Sequence, residues 1–166
     1  MRMKIGKTSK KIDLKKLLIS IAICQFAGVL GSLFTMPRIP TWYATLAKPA
    51  FAPPNWVFGP VWTTLFILMG VSLYLIWEKG LKSHNEMMAV YTFALQLALN
   101  ILWSFLFFGL QSPFYGLIGI VILWIAIAAT IWQFHDLDAR AAYLLVPYIL
   151  WVSFAALVNY AVWMLN

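Results

Sequence analysis

Five apolar runs of about 20 residues, over 17–36, 58–77, 87–108, 114–134 and 141–165, constrain this chain more than any other feature. A helix rising about 1.5 Å per residue needs roughly 20 residues to cross a hydrocarbon core about 30 Å thick. Inside lipid every backbone N–H and C=O must be bonded within the protein, which leaves helices or closed barrels. None of the runs alternates apolar and polar residues at period two, so a barrel is excluded. The predicted fold class is an all-α integral membrane protein, a bundle of five transmembrane helices. Composition excludes the soluble alternative. Of the 166 residues 63% are hydrophobic and 10% charged, against about 45–50% and about 25% in soluble chains. So few polar residues cannot cover so much apolar surface. The first run exceeds the roughly 7–15 residues of a signal-peptide core, and no small-x-small cleavage site follows it, so it reads as a retained helix.

Charge sets the expected orientation. Arg2, Lys4, Lys7, Lys10, Lys11, Lys15 and Lys16 precede the first run, as a basic extension over 1–16 ahead of a membrane domain over 17–166. With Lys79, Lys82 and Arg140 they fall on one side of a five-span topology; Arg38 and Lys48 fall on the other. The positive-inside rule then puts the N-terminus in the cytoplasm and the 37–57 loop and C-terminus outside, for a multi-pass protein of a prokaryotic plasma membrane. The formal charge of +7 belongs to a flank that faces anionic lipid. No soluble segment interleaves basic residues with stacking aromatics, so nucleic acid is not expected as a partner.

Several chemistries have no residues to carry them. The single cysteine, Cys24, lies inside the first run and reads as a packing residue, not a metal ligand. No Asp, Glu, Lys, Arg or His occurs over 87–134 or 141–166, where an ion-coupled transporter keeps such a residue at mid-membrane. His84 and His135 are placed in connections on the N-terminal side, so no histidine pair can hold a haem iron within the bundle. No Ser-His-Asp set, paired carboxylates or glycine-rich phosphate loop appears. No metal is expected, and no motif requires a cofactor.

Aromatic residues take their place. Of nine tryptophans, Trp77, Trp132 and Trp163 lie near span ends, where indoles anchor at the interface. In the third span, about 100° per residue brings Gln96, Asn100, Trp103 and Phe107 onto one stripe. Amides facing lipid are costly, so this stripe is expected to face protein or a cavity. The opposite stripe carries Ala94 and Ala98, a small-xxx-small pair that allows close helix approach, either within the bundle or in a dimer contact. The fifth span repeats the aromatic pattern with Pro147, Trp151, Phe154, Ala155 and Val158, bordered by Tyr148 and Asn159. The first span offers small residues: Cys24, Gly28, Ser32 and Thr35, beside Gly31. Bulky faces opposite a small face can enclose a flat cavity, although ordinary core packing produces the same pattern. The 37–57 loop, with its prolines and Trp42, Tyr43, Phe51 and Trp56, reads as a packed lid over the pocket.

At this loop the chain resembles a known family. Trp42-Tyr43-x-x-Leu46-x-Lys48-Pro49 and Pro53-Pro54-x-Trp56-x-Phe58-Gly59-x-x-Trp62 resemble the signature of the TspO/translocator protein family, the tryptophan-rich sensory proteins or peripheral-type benzodiazepine receptors. Gln96-Leu97-x-Leu99-Asn100-x-x-Trp103-Ser104, Pro147-Tyr148-x-x-Trp151-x-x-Phe154-Ala155 and Asn159-Tyr160-x-Val162-Trp163-x-x-Asn166 extend the resemblance from about Gly28 to the C-terminus. It implies a five-helix bundle, often a homodimer. It also implies a pocket beneath the first loop for tetrapyrroles such as protoporphyrin IX or haem. Trp42, Tyr43, Trp62, Asn100, Trp103, Tyr148, Trp151, Phe154 and Ala155 are its implied ligand-binding residues. Light-dependent porphyrin breakdown in some members implies Trp62 and Trp151 as the catalytic pair, if there is one. Two features depart from the resemblance. No Lys or Arg follows Arg140, so the sterol-recognition pattern of animal members has no counterpart. Gly119 stands where many members carry an acidic residue.

Three function classes follow. The first is a tetrapyrrole-binding sensor or regulator of porphyrin metabolism, stacking a flat macrocycle on indoles. The second is a light-dependent porphyrin-degrading enzyme that borrows the macrocycle's excited state. The third, a porphyrin or sterol transporter, ranks last because the mid-membrane ionisable residue is missing.

Overall fold

The computed structural model describes residues 12–166, so most of the basic extension read over 1–16 lies outside the described residues. The elements are α1 (Leu14–Thr35), a short α2 (Trp42–Thr45), a single 3-10 turn (Asn55–Val57), α3 (Phe58–Lys79), α4 (His84–Ser104) continued by a π-helical turn (Phe105–Gly109), α5 (Pro113–Leu137) and α6 (Ala139–Leu165). Five of the six α-helices, all but α2, are long and apolar enough to cross a membrane. No strand occurs among the described residues.

Helix ends are set by polar caps that lie outside the apolar runs, so most helices start earlier than hydropathy places them. Asp13 caps α1 by accepting from the Lys16 N–H at 3.2 Å. Ser83 and Glu86 form a reciprocal capping box at α4, a device that satisfies two orphan N–H groups at once. Ser112 precedes Pro113 at the start of α5, where proline's missing N–H costs nothing. Two expectations are corrected as a result. His84 is the first residue of α4 and His135 lies in α5, so neither is in a connection. The fourth connection shrinks to Asp138, which ends α5 and caps α6 through the Arg140 N–H at 3.0 Å.

The π turn is a second departure. The Leu110 N–H reaches the Phe105 carbonyl at 2.8 Å, inserting a residue relative to the α repeat. Phe107 and Phe108 lie within this turn and are both buried.

The long helices close a ring: α1 packs on α3 and α4, α3 on α6, α6 on α5, and α5 on α4. Outward faces carry exposed Phe26, Leu33, Ile125, Leu150 and Leu157, a surface suited to hydrocarbon. Small residues allow the α1–α3 seam. A Cβ on Gly70 would lie 2.5 Å from the Ile21 Cα, and one on Gly28 would lie 2.6 Å from the Phe66 ring.

The two ends of the ring differ. One end gathers Lys16 with Glu78 at 3.2 Å, and Asp138 with Arg140 at 2.9 Å and Lys79 at 3.5 Å. The other is covered by the 37–57 loop. Its Tyr43 is buried against Phe58, Phe107 and Phe108, and Lys48 Nζ lies 4.9 Å from the Tyr43 ring centroid.

Candidate functional site

Beneath the loop end lies a cavity of about 440 Å³ between α1, α3 and α4, within the roughly 300–1,000 Å³ range of small-molecule sites. One wall is small: Gly28, Gly31, Ser32 and Thr35 of α1. The hydroxyls of Ser32 and Thr35 are spent on carbonyls of their own helix, Val29 and Gly31. The facing wall is aromatic. Phe66 and Trp62 lie 5.7 Å apart with ring planes 30° from one another; Trp62 and Trp103 are 6.3 Å and 32° apart. Trp103 and Phe107 continue the series at 5.9 Å and 29°. Rings four residues apart on α3 and on α4 thus form a gently turning surface, of which Phe66, Trp62 and Trp103 face this cavity. Among the described residues no charged side chain lines it.

Polar bonds hold that wall. The Trp103 indole N–H donates to Asn159 Oδ1 at 3.4 Å, while Asn159 Nδ2 donates to the Pro113 carbonyl at 2.7 Å. One amide thereby ties α4, α5 and α6 together. Asn100 lines the cavity and donates from Nδ2 to the fully buried Tyr148 hydroxyl at 3.0 Å. Gln96, one turn below, is 1% exposed and has no hydrogen-bond partner for either amide atom among the described residues.

A second cavity of about 30 Å³ lies toward α6, lined by Tyr43, Trp151, Phe154, Ala155, Asn159 and neighbours. At roughly 10–15 Å³ per water it has room for about two. Trp62 and Trp151 therefore line different cavities. Of the residues expected at the site, Trp62, Asn100 and Trp103 line the larger. Tyr43, Trp103, Trp151, Phe154 and Ala155 line the smaller. Tyr148 acts behind the wall, and Trp42 packs on Phe107 and Phe108 at 5.5 and 6.4 Å without lining either cavity.

Of the expected α6 face, Trp151, Phe154, Ala155 and Val158 line the smaller cavity, and Pro147 alone departs from it. Pro147 is exposed, while Tyr148, Val152 and Asn159 are buried, because the phenol and the amide need partners inside. Ala94 and Ala98 are exposed on the outer face of α4, and Gln96, Asn100, Trp103 and Phe107 point inward. A Cβ on Gly119 would lie 2.8 Å from Leu106 Cδ1, so no carboxylate fits there without a shift.

The lining missed from sequence includes Gln25, Asn55, Thr63 and Phe66. Gln25 Nε2 bonds the Thr63 carbonyl at 2.9 Å, bridging α1 and α3. A glutamine in the middle of an apolar run was the available signal. Among the described residues no group of three His, Cys, Asp or Glu could hold a metal ion.

Residues 20–164 match the TspO/MBR family. The chain belongs to the TspO/MBR family. It is 46% identical over 155 residues to the tryptophan-rich protein TspO of Archaeoglobus fulgidus, covering 93% of this chain and 99% of that protein. The bovine translocator protein is 39% identical over 143 residues, 86% of this chain and 85% of the other. The tryptophan-rich sensory protein of Cereibacter sphaeroides is 34% identical over 155 residues, 93% and 94% respectively. As a TspO/MBR member with five apolar helices, the protein is an integral, multi-pass membrane protein.

Proposed function

We propose that the protein binds a tetrapyrrole, protoporphyrin IX or haem, in the cavity beneath its loop and serves as a sensor or regulator of porphyrin metabolism. The observation that carries this reading is the wall Phe66–Trp62–Trp103, three rings in steps of about 30°, opposite the small face of α1. A flat apolar π-system gains most from such a surface, since offset ring contacts contribute about 0.5–1.5 kcal/mol each beyond area burial. The residues fit the macrocycle's apolar body. Among the described residues no cation stands in the cavity lining to meet its acidic substituents.

Titration of the purified protein in nanodiscs with protoporphyrin IX, read by indole fluorescence, tests this. Saturable quenching at one macrocycle per chain is expected, and Ser32→Phe, which fills the slot from the α1 side, should weaken it more than tenfold, about 1.4 kcal/mol. Trp62→Phe keeps a ring and should cost less than about tenfold. Quenching that never saturates, or that Ser32→Phe leaves unchanged, overturns the site. The same samples illuminated and kept dark report whether light consumes the bound macrocycle.

A further inference from the structure

The two cavities share three wall residues, Phe58, Trp103 and Phe108. Two of these are firmly held. Trp103 is buried, bonded through its N–H to Asn159 and packed on Trp62, Phe107 and Phe108. Phe108 is buried in the π turn against Trp42, Tyr43, Trp103 and Phe107. Phe58 differs. It is half-buried, begins α3 directly after the 3-10 turn, and meets Tyr43 and Trp151 edge-on at 6.5 and 6.2 Å. Its neighbour Gly59 has open space where a Cβ would stand. Interiors move where contacts are few and local structure is irregular.

We infer that Phe58 is a movable partition, and that its displacement joins the two cavities into one chamber for a ligand that enters the larger cavity and extends past Phe58 toward Trp151. The inference rests on the tetrapyrrole reading and adds the class of ligand that opens the chamber: a broad flat macrocycle with hydrogen-bond acceptors on its rim. Trp151, on the far side of the partition, carries a buried indole N–H with no partner among the described residues. Buried donors are nearly always bonded, and an acceptor edge entering the small cavity supplies the missing partner. A compact aromatic fits on the Trp62 side with Phe58 in place. With the partition displaced, Trp62 and Trp151, which line separate cavities, would face one chamber.

The experiment labels the protein in nanodiscs with 5-fluorotryptophan, assigns the Trp62 and Trp151 fluorine resonances by Trp→Phe substitution, and titrates protoporphyrin IX and naphthalene separately. Naphthalene should shift Trp62 alone; protoporphyrin should shift both. Phe58→Ala should let naphthalene reach Trp151. Phe58→Trp should abolish the protoporphyrin shift at Trp151 and weaken binding about tenfold. The unsubstituted protein with its two ligands decides the question even where a Phe58 variant does not fold. If protoporphyrin moves Trp62 and leaves Trp151 unchanged, the partition fails while the tetrapyrrole reading stands. If naphthalene moves both resonances without substitution, there is no partition. If protoporphyrin moves neither, the tetrapyrrole reading fails and the inference with it.

Discussion

The carboxamide of Asn166 grips both backbone atoms of Ala47: Nδ2 donates to the Ala47 carbonyl at 3.0 Å, and Oδ1 accepts from the Ala47 N–H at 3.0 Å. A residue 119 positions away thus ties the loop to the end of α6. Both groups are exposed, so each bond is worth about 0.5–1.5 kcal/mol. Asn166→Ala should speed hydrogen exchange of the Ala47 amide by about three- to tenfold, leaving the melting temperature nearly unchanged. Exchange at the rate of the unsubstituted protein would show that the aromatic packing of Trp42 and Tyr43 holds the loop without the amide.

The α1–α3 seam predicts two glycine substitutions of unequal cost. At Gly70 an added methyl meets the Ile21 backbone at 2.5 Å, which cannot swing away. At Gly28 it meets the far edge of the Phe66 ring, which can. Gly70→Ala should destabilise the bundle by about 2 kcal/mol or more, and Gly28→Ala by about 1 kcal/mol. Since Gly28 and Phe66 line the large cavity, Gly28→Ala should also weaken ligand binding. Thermal melts in detergent check the order, and equal losses would contradict it.

Asp138 predicts an acid limit. Hydrogen bonds from the Arg140 side chain, helped by its backbone N–H and by Lys79, pull the carboxyl down to about 2 against the opposing effect of burial. Unfolded, it titrates near 3.9. The stabilisation is therefore complete above about pH 4 and is lost as pH falls toward 2, on the order of 2 kcal/mol in all. Asp138→Asn should lower stability at neutral pH and lose its difference from the unsubstituted protein between pH 4 and 2. A difference independent of pH would assign the effect to packing at the α5–α6 corner.

The lysine and arginine asymmetry predicts orientation. Thr45 is exposed in α2 at the loop end. A cysteine there, in a Cys24→Ala background, should react with a membrane-impermeant maleimide from outside intact cells. Labelling confined to broken cells would reverse the topology.

Exposed Ala94 and Ala98 leave the outer face of α4 open to close helix approach, which predicts that any homodimer forms there. Ala98→Phe should lower cross-linking in detergent and spare ligand quenching. Unchanged cross-linking with lost quenching would invert the assignment of the two α4 faces.

Sequence alone determined the five spans, the inward stripe of α4 and the small face of α1. Each follows from a local rule: hydrocarbon excludes unpaired backbone, amides avoid lipid, and periodicity fixes which residues share a face. It also made the family resemblance legible, because the loop motif and the α4 and α6 motifs stand in order along the chain. Tertiary structure decided the rest. The π turn that carries buried Phe107 and Phe108, the exposure of Pro147, and the separation of Trp62 from Trp151 depend on which helices are neighbours in the ring. A cavity is bounded by residues far apart in the chain, here Gly28, Trp62 and Trp103. No local period encodes the distance between them, and only packing sets it.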